Sequence, residues 1–393
     1  MSITPPAITL AELFEAYFAC RKNKRNTHNA MTFEVDYEER LVELWNEINQ
    51  GSYHPGRSIA FIVEKPVKRE IFAAAFKDRI VHHLIFKKIN PLFEKTFIYD
   101  SYACRTGKGA SLGVKRIAHF IRKCSINYTR DCYILKLDVQ SFFMGIDKNI
   151  LFDKLTTFLH AYYHHADKDL LLNLCEKIIY CNPTQECIMN SHLSRWRNLP
   201  KDKSLFYGKE NCGLPIGNLT SQVLANFYMN SFDHFIKHDL GIRYYGRYVD
   251  DFILIHPDKD YLKSLIPCVS QFLQNELKLT LHPKKIYLQH FKQGAKFLGV
   301  VIKPHRNYIS NRIKGNFFDA FDKYCNMATT GSSSEDSASF LSSMNSYLGM
   351  MKHYSTYRIR KKIILKKAPV FRGVAYVNRE LTKFVLKKIL KQR

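Results

Sequence analysis

The chain has 393 residues, with 60 Lys and Arg against 35 Asp and Glu, which gives a formal net charge of +25. Hydrophobic residues make up 46% of the chain, enough for a large core in two or three lobes, yet no apolar stretch reaches the roughly 18 residues of a transmembrane helix. The positive charge favours a polyanionic partner, with nucleic acid ahead of an anionic membrane surface.

The 10 cysteines are scattered, and none forms a Cys-x-x-Cys pair. Cys175, Cys181 and Cys187 are evenly spaced, and with His192 they form a candidate zinc set. Reduced thiols of a cytoplasmic protein are the favoured interpretation, because the N-terminus lacks the basic and apolar segments of a signal peptide.

The first predicted element is a helix over residues 8–22, which leads into a basic segment at residues 21–25. Contact with phosphate and an ordinary solvated terminus are both open for that segment. Asp36 and Glu39 have the spacing of a capping box for the next helix, which Gly51 is expected to end.

Residues 59–63 are apolar and include β-branched side chains, which predicts a strand, and Pro66 predicts the turn after it. Lys65, Lys68 and Arg69 cluster at this bend. Cations on a hairpin are suited to hold a triphosphate or a template backbone. As an exposed charge run they would serve solubility alone.

A β-rich run over residues 133–137 ends in Asp138, and aromatic residues that include Phe143 follow it. An acid at the end of a core strand is a candidate to share a site with other acids. Residues 148–180 are predicted to be helical, with a break near residues 162–165.

A glycine turn at residues 213–222 precedes a helix predicted over residues 223–235. Asn218, Thr220 and Ser221 are candidate caps for that helix. The free N–H groups at such a helix start can face an anion or a template backbone.

The pattern of residues 242–256 predicts a strand, a turn and a strand, with Asp250 and Asp251 at the tip. Two adjacent acids at the tip of an apolar hairpin need a cationic partner if they are buried. A divalent metal is the natural candidate, because magnesium prefers carboxylate oxygens. A solvated Asp-Asp turn is the alternative.

Beyond this hairpin the sequence predicts a helix at residues 261–279, a basic turn that contains Lys285, and a strand at residues 296–302. A helix over residues 311–327 follows, and then a Ser-rich loop at residues 329–337.

The C-terminal residues 352–393 are strongly basic, with Glu380 as the single acid, and have helical periodicity. A basic helical tail fits contact with a nucleic-acid backbone better than contact with a membrane surface.

In this order, the segments resemble the motifs of reverse transcriptases. Leu-Lys-Leu-Asp at residues 135–138 resembles the first palm motif, and Tyr-Val-Asp-Asp at residues 248–251 resembles the third. His-Pro-Lys-Lys at residues 282–285 resembles the fourth motif, and Phe-Leu-Gly at residues 297–299 resembles the primer-side hairpin.

The resemblance covers about residues 35–302 and implies an α+β fold of the right-hand polymerase type, with fingers, a palm of antiparallel sheet plus helices, and a helical thumb. The implied divisions are an N-terminal helix and basic arm (1–34), fingers (35–130), a palm (131–302) with a fingers-type insertion near residues 165–212, and a basic helical thumb and tail (303–393).

The resemblance also implies an RNA-directed DNA polymerase, in which Asp138, Asp250 and Asp251 hold two Mg²⁺ ions, with Mn²⁺ as an acceptable substitute. Template RNA, the hybrid of RNA and cDNA, and dNTPs are the implied partners, with no membrane.

Other site residues are implied by the same resemblance. Lys68 and Arg69 would face the triphosphate, and Lys285 would donate a proton to pyrophosphate or pair with its charge. Phe143 would exclude a ribose 2′-hydroxyl by collision, which selects deoxynucleotides. A core aromatic is the alternative role for Phe143.

Leu-Pro-Ile-Gly-Asn-Leu-Thr-Ser-Gln at residues 214–222 resembles, more narrowly, the reverse transcriptases of diversity-generating retroelements, which belong with the group II intron and retron enzymes of bacteria. Residues 199–207 and 347–349 resemble the same group. This resemblance implies nucleotide contacts from Ile216 and Gln222, copying of a template-repeat RNA with errors at adenines, and a small basic accessory protein that forms a pentameric barrel.

Ile216 stands where retroviral enzymes carry Gln, and its side chain cannot form a hydrogen bond. Loss of one hydrogen bond of about 1 kcal/mol would weaken base discrimination several-fold. Simple packing in the palm is the alternative interpretation of Ile216. A retron or antiphage-defence enzyme that copies a dedicated non-coding RNA is the second functional hypothesis. A non-catalytic RNA-binding protein is the third, and the intact acids argue against it.

Overall fold

The computed structural model describes most of the chain, namely residues 7–22, 27–64, 67–329, 334–373 and 375–387. The predicted turn at Pro66 with Lys65, and the basic residues 23–25, lie outside the described residues. Within the described residues, no helix is long and apolar enough to cross a bilayer.

Helices dominate the secondary structure of the described chain. They are α1 (Leu10–Arg21), α2 (His28–Glu34), α3 (Tyr37–Asn49), α4 (Phe76–Thr96), α5 (Ala110–Cys124), α6 (Phe142–Gly145), α7 (Lys148–Tyr162), α8 (Lys168–Tyr180), α9 (Leu219–Tyr228), α10 (Asn230–His234), α11 (Lys259–Leu277), α12 (Asn311–Thr329), α13 (Ser334–Met351) and α14 (Tyr357–Phe371). Hydrophobic residues at helical spacing form their buried faces, as Leu41, Leu44 and Ile48 do in α3.

In the part of the chain that the structure describes, short strands form four small sheets. The strands are β1 (Ile59–Val63), β2 (Arg69–Ala73), β3 (Tyr133–Asp138), β4 (Ile188–Met189), β5 (Tyr244–Tyr248), β6 (Asp251–His256), β7 (Tyr287–His290), β8 (Ala295–Phe297), β9 (Val300–Lys303), β10 (Arg306–Ile309), β11 (Ala375–Val377) and β12 (Phe384–Leu386). The sheet orders are β2-β1-β4, β5-β6-β3-β7, β10-β9-β8 and β11-β12. The pairing of β1 with β4 is parallel, whereas β1–β2 and β3–β7 are antiparallel. This combination of helices and largely antiparallel sheet confirms the predicted α+β class.

The chain divides into two compact units, here taken over their described residues. The first comprises residues 1–109, 137–252 and 263–286, and the second comprises residues 110–136, 253–262 and 287–393. The four-part division into arm, fingers, palm and thumb stays a prediction.

In the first unit, α4 is the central helix. Its Phe93 stacks on Phe227 of α9, with ring centroids 4.3 Å apart and planes inclined by 12°. His82, buried in α4, lies 2.6 Å from Thr220 Oγ1 at the start of α9. Aromatic and polar contacts therefore fix α9 and the turn before it against α4.

In the second unit, aromatic rings from α12 and α13 form the core with the C-terminal hairpin. Tyr324 and Phe340 stack with centroids 3.9 Å apart, and Phe384 of β12 is buried against them. The Arg360 guanidinium of α14 donates to the carbonyls of Glu380 and Leu381, at 2.8 and 2.6 Å, and so anchors the turn of that hairpin.

Two predicted helix caps are wrong. Asp36 precedes α3 but makes no capping hydrogen bond; its carboxylate pairs instead with Arg40 at 3.7 Å. Asn218 precedes α9, and its Oδ1 accepts from the Ala74 N–H at 3.1 Å rather than from the helix. Asp36 thus pairs with a side chain of α3 itself, whereas Asn218 bonds to a residue outside its helix. The predicted stop at Gly51 is confirmed, with φ +72°.

Three predictions for the C-terminal third are also wrong. The strand predicted at residues 296–302 is two strands, because Leu298 and Gly299 adopt left-handed conformations with φ +50° and +82°. The Ser-rich loop ends early, since α13 already begins at Ser334; residues 330–333 lie outside the described part. The basic tail is helical only to Phe371, and β11 and β12 follow, because Phe384 is buried in the aromatic core.

Candidate active site

The two acidic segments predicted from the sequence meet in the first unit. Asp138 is the last residue of β3, and Asp250 lies in the turn between β5 and β6. The Val139 N–H donates to the Asp250 carbonyl at 3.2 Å. The His282 N–H donates to the Asp138 carbonyl at 2.8 Å, which adds the basic turn to the same place. Asp251 follows as the first residue of β6.

Cations surround this acid pair. Lys285 Nζ lies 2.8 Å from Asp138 Oδ1, and the two side chains are 46% and 14% exposed. Burial, together with repulsion by Asp138, raises the pKa of Asp250 to about 6, while Lys285 and Arg69 lower it. The site thus holds two neighbouring carboxylates, Asp138 and Asp250. Burial and repulsion disfavour the ionised form of Asp250, and the cations Lys285 and Arg69 favour it.

The donor set fits a magnesium ion that shares its ligands with a substrate. Among the described residues, no three His, Cys, Asp or Glu side chains converge as a complete metal cluster. Magnesium usually takes only one or two protein carboxylates and completes its shell with water and substrate phosphates. Asp138 and Asp250 supply two hard oxygen donors whose mutual repulsion a divalent cation would relieve.

The glycine turn predicted at residues 213–222 ends earlier, because α9 begins at Leu219, and its backbone is bound to β2 and to the segment after β3. The Leu214 N–H donates to the Phe143 carbonyl at 2.8 Å, and the Ile216 carbonyl accepts from the Phe72 N–H at 2.9 Å. Gly217 has φ +128°, and a Cβ there would lie 2.9 Å from the Phe72 carbonyl oxygen. This position therefore requires glycine. The backbone of Ile216 is fixed between β2 and the segment after β3.

The other predicted site residues have distinct surroundings. Phe143 is half-buried and lies edge-on to Phe142, with centroids 5.4 Å apart. Gln222 is exposed, and its Oε1 accepts from Cys104 Sγ at 3.2 Å. Lys68 Nζ donates to the Arg197 carbonyl at 2.7 Å, whereas Arg69 is near enough to Asp250 to affect its charge. Their roles toward a nucleotide stay predictions.

One organising residue was missed at the sequence level. Glu70 of β2 is only 1% exposed. Its carboxylate accepts from Trp196 Nε1, Ser204 Oγ and the Leu205 N–H, at 3.0, 2.8 and 2.9 Å. Glu70 therefore fastens the irregular segment around residues 193–207 to β2, beside Arg69. The signal was an acid inside an apolar strand, which needs several donors when buried.

Residues 64–302, more than half of the chain, match the family described as reverse transcriptase (RNA-dependent DNA polymerase). The matched range contains the acids at 138, 250 and 251 and the basic turn at 285. The chain belongs to the reverse transcriptase family. The predicted reverse transcriptase family, its α+β fold class and its enzyme class, RNA-directed DNA polymerase, are confirmed, whereas the retroelement subtype stays a prediction.

A curated relative of this reverse transcriptase is the protein YkfC of Escherichia coli (strain K12). The two are 22% identical over 293 residues, which cover 66% of this chain and 70% of YkfC.

Similar solved structures include telomerases. Apo telomerase from Candida tropicalis, truncated of its C-terminal domain, is 14% identical with a TM-score of 0.45, over 67% of this chain and 59% of that one. Telomerase from Candida albicans in complex with a fragment of telomeric RNA is 12% identical with a TM-score of 0.48, over 85% and 61%. The reverse transcriptase thus spans about three-fifths of the telomerase chains.

Proposed function

We propose that this reverse transcriptase makes cDNA from an RNA template at the site formed by Asp138, Asp250 and Asp251. The observation that carries the proposal is the meeting of Asp138 and Asp250, which are distant in sequence, beside Lys285 and Arg69. Facing carboxylates flanked by cations suit phosphoryl transfer, where charge neutralisation and positioning matter more than covalent chemistry.

The three aspartates would hold two magnesium ions, with manganese as a substitute. When bound, the ions activate the primer 3′-hydroxyl and neutralise the charge of the incoming triphosphate. Arg69, with Lys68 beside it, contributes positive charge on the triphosphate side. Lys285, which pairs with Asp138 in the structure, would serve as the proton donor or charge partner of the departing pyrophosphate.

Selection of deoxynucleotides is assigned to Phe143. Its position is fixed by the Leu214 N–H on its carbonyl and by the ring of Phe142. A fixed ring rejects a 2′-hydroxyl by collision better than a mobile one.

RNA is the proposed template because the chain carries a net charge of +25. In the second unit, α14 exposes basic side chains along one face, namely Arg358, Lys361, Lys362 and Lys366. Such a face suits the phosphates of the template or of the hybrid. The cytoplasm is the proposed location.

The decisive experiment is extension of a DNA primer on RNA with dNTPs and magnesium. We expect incorporation by the intact protein, none by Asp250→Asn, and loss of activity in the presence of EDTA. The Phe143→Ala variant should gain incorporation of ribonucleotides while keeping that of dNTPs. If the protein gave no extension and Asp250→Asn bound RNA equally well, the chain would be an RNA-binding protein.

More narrowly, we propose that the enzyme serves a diversity-generating retroelement and copies a template repeat with errors at adenines. The support is Ile216, whose carbonyl is bound to the Phe72 N–H of β2 while its side chain has no hydrogen-bonding group. A position held this firmly cannot shift to recover a lost contact. The small basic pentameric accessory protein belongs to the same proposal.

Sequencing of the cDNA tests this assignment. Errors should concentrate at template adenines, and Ile216→Gln should reduce them several-fold, as expected for one hydrogen bond of about 1 kcal/mol. Ile216→Leu, which keeps the apolar character, is the matched control. Uniform errors across bases, together with a single non-coding RNA that co-purifies with the protein, would instead favour a retron or an antiphage-defence enzyme.

A further inference from the structure

Arg247, in β5, is fully buried and uses all five of its N–H groups. Nε and Nη2 donate to the two carboxylate oxygens of Asp233, at 2.7 and 2.5 Å. Nη1 donates to Asn226 Oδ1 at 3.1 Å and to the Val249 carbonyl at 2.9 Å. Nη2 also reaches Ser101 Oγ at 3.4 Å.

The bond to Val249 is unusual because Val249 is the residue before Asp250 and has φ +59°. A β-branched residue is disfavoured in this left-handed conformation, which persists only when the surroundings enforce it. The turn is held on both sides of Asp250. Arg247 binds the carbonyl of Val249, and the Val139 N–H binds the carbonyl of Asp250.

The backbone of Arg247 is also held in place. The backbone N–H and carbonyl of Arg247 pair with the Asp100 carbonyl and the Tyr102 N–H, at 2.9 and 3.0 Å. Gly246 permits this close approach, because a Cβ there would lie 2.6 Å from the Tyr102 hydroxyl. The anchor is thus a rigid group at the edge of β5.

Arginine is the only side chain that fits these demands. Its planar fork binds Asp233 with one side and still presents Nη1 to Asn226 and Val249. Lysine would keep the charge opposite Asp233, but its single nitrogen cannot bind Asp233 and the Val249 carbonyl together.

We propose that Arg247 is a positioning residue, which holds the Val249 carbonyl and thereby fixes the turn that sets Asp250 beside Asp138. The proposal rests on the proposed function for its catalytic consequence, but the effect on the turn is independent of any activity.

The test compares Arg247→Lys with Tyr245→Phe. Tyr245 donates to Asp233 Oδ1 at 2.6 Å, so its loss weakens the same buried network without a contact to the turn. The first readout is hydrogen exchange of the Val139 amide in the protein without metal or nucleic acid. We expect the exchange rate of this amide to rise by about tenfold or more in Arg247→Lys and to stay unchanged in Tyr245→Phe, after correction of each rate for the global stability of the variant.

The second readout is single-nucleotide extension. Arg247→Lys should lower kcat by about 100-fold, as for a small misplacement of reacting groups, with the KM for dNTP little changed. Tyr245→Phe should leave kcat within about threefold. Adding Val249→Gly to Arg247→Lys should restore part of the lost kcat, because glycine adopts the left-handed conformation without steric cost.

Equal exchange of Val139 in the two variants would overturn the proposal and leave Arg247 as a support of the fold only. If Arg247→Lys does not fold, the paired change Asp233→Asn with Arg247→Gln removes the fork without leaving a buried charge, and the same readouts apply. If the unmodified protein incorporates no dNTP, the proposed function fails, while the exchange experiment still decides the role of Arg247.

Discussion

Two ion pairs in the first unit, one at Asp138 and one in β5, show how one type of contact serves two purposes. Lys285 and Asp138 form a pair at 2.8 Å whose side chains are 46% and 14% exposed. Arg247 and Asp233 form a pair at 2.5 Å in which both side chains are fully buried. A competing cation can displace Lys285 from Asp138. The pair of Arg247 and Asp233 has no access to water, and Arg247 also binds the Val249 carbonyl in the turn.

The energetics of the two pairs differ accordingly. A pair with one exposed partner, such as Lys285 with Asp138, is worth on the order of 1 kcal/mol, because water and salt compete with it. Breaking a buried pair costs about 3–5 kcal/mol, because the remaining charge is left without compensation. The site therefore combines an ion pair that is easily broken, Lys285 with Asp138, with a buried one that is costly to break, Arg247 with Asp233.

The largest expected effect concerns Asp250, the acid in the turn that Arg247 binds. Asp250→Asn should lower incorporation on the order of 10³-fold or more, because it removes a ligand for the charges of the reaction. Its melting temperature, measured without metal, should stay the same or rise, because one of two facing carboxylates is gone. A large loss of stability would mean that Asp250 is structural.

Next, Asp233→Asn should destabilise the protein by about 3–5 kcal/mol, since Arg247 would remain buried without a counter-charge. Urea denaturation measures this, and Asp131→Asn, at an acid that is 73% exposed in its pair with His290, is the matched control. Similar stabilities of the two variants would contradict the distinction drawn between buried and exposed pairs.

The exposed pair should behave in the opposite way. Lys285→Met should reduce turnover by about 100-fold, the size expected for loss of a proton donor, yet change the free energy of unfolding by less than about 1 kcal/mol. Lys284→Met, at the neighbouring residue that makes no ion pair with Asp138, should have a much smaller effect on turnover. Equal effects of the two would remove Lys285 from the site.

A buried group without a charge partner provides the smallest test. Burial lowers the pKa of His82 to about 3. The unfolded chain therefore takes up a proton near pH 6.5 that the folded chain refuses, and stability falls as the pH drops from there toward 3. At pH 5 this amounts to about 2 kcal/mol, and His82→Gln should remove that part of the pH dependence in urea denaturation. If His82→Gln left the fall in stability below pH 6.5 unchanged, His82 would be accessible to solvent and protons in the folded protein.

The sequence was most informative where function depends on local pattern. Asp138 ends a β-rich run and Asp250 sits in a hairpin turn, so their positions follow from strand ends that can be recognised without the fold. The same holds for the glycine turn, since Gly217 must be glycine in any backbone of this shape.

Elements that depend on distant partners could not be predicted. The final hairpin forms because Phe384 is buried in the aromatic core and Arg360 binds the carbonyls of its turn. Asn218 has cap spacing but bonds to Ala74. Arg247 looks like an ordinary cation in the sequence, and only the fold shows Asp233 and Val249 at its two ends. In each case tertiary contact outweighs local propensity.

The most direct test of the account is binding of Mn²⁺, followed by electron paramagnetic resonance, with Mg²⁺ as the competitor. The intact protein should bind Mn²⁺ in competition with Mg²⁺, and Asp250→Asn, verified as folded, should bind it about tenfold or more weakly. Equal binding by the two proteins would show that the acids of the hairpin hold no divalent cation, and the proposed chemistry of this site would be wrong.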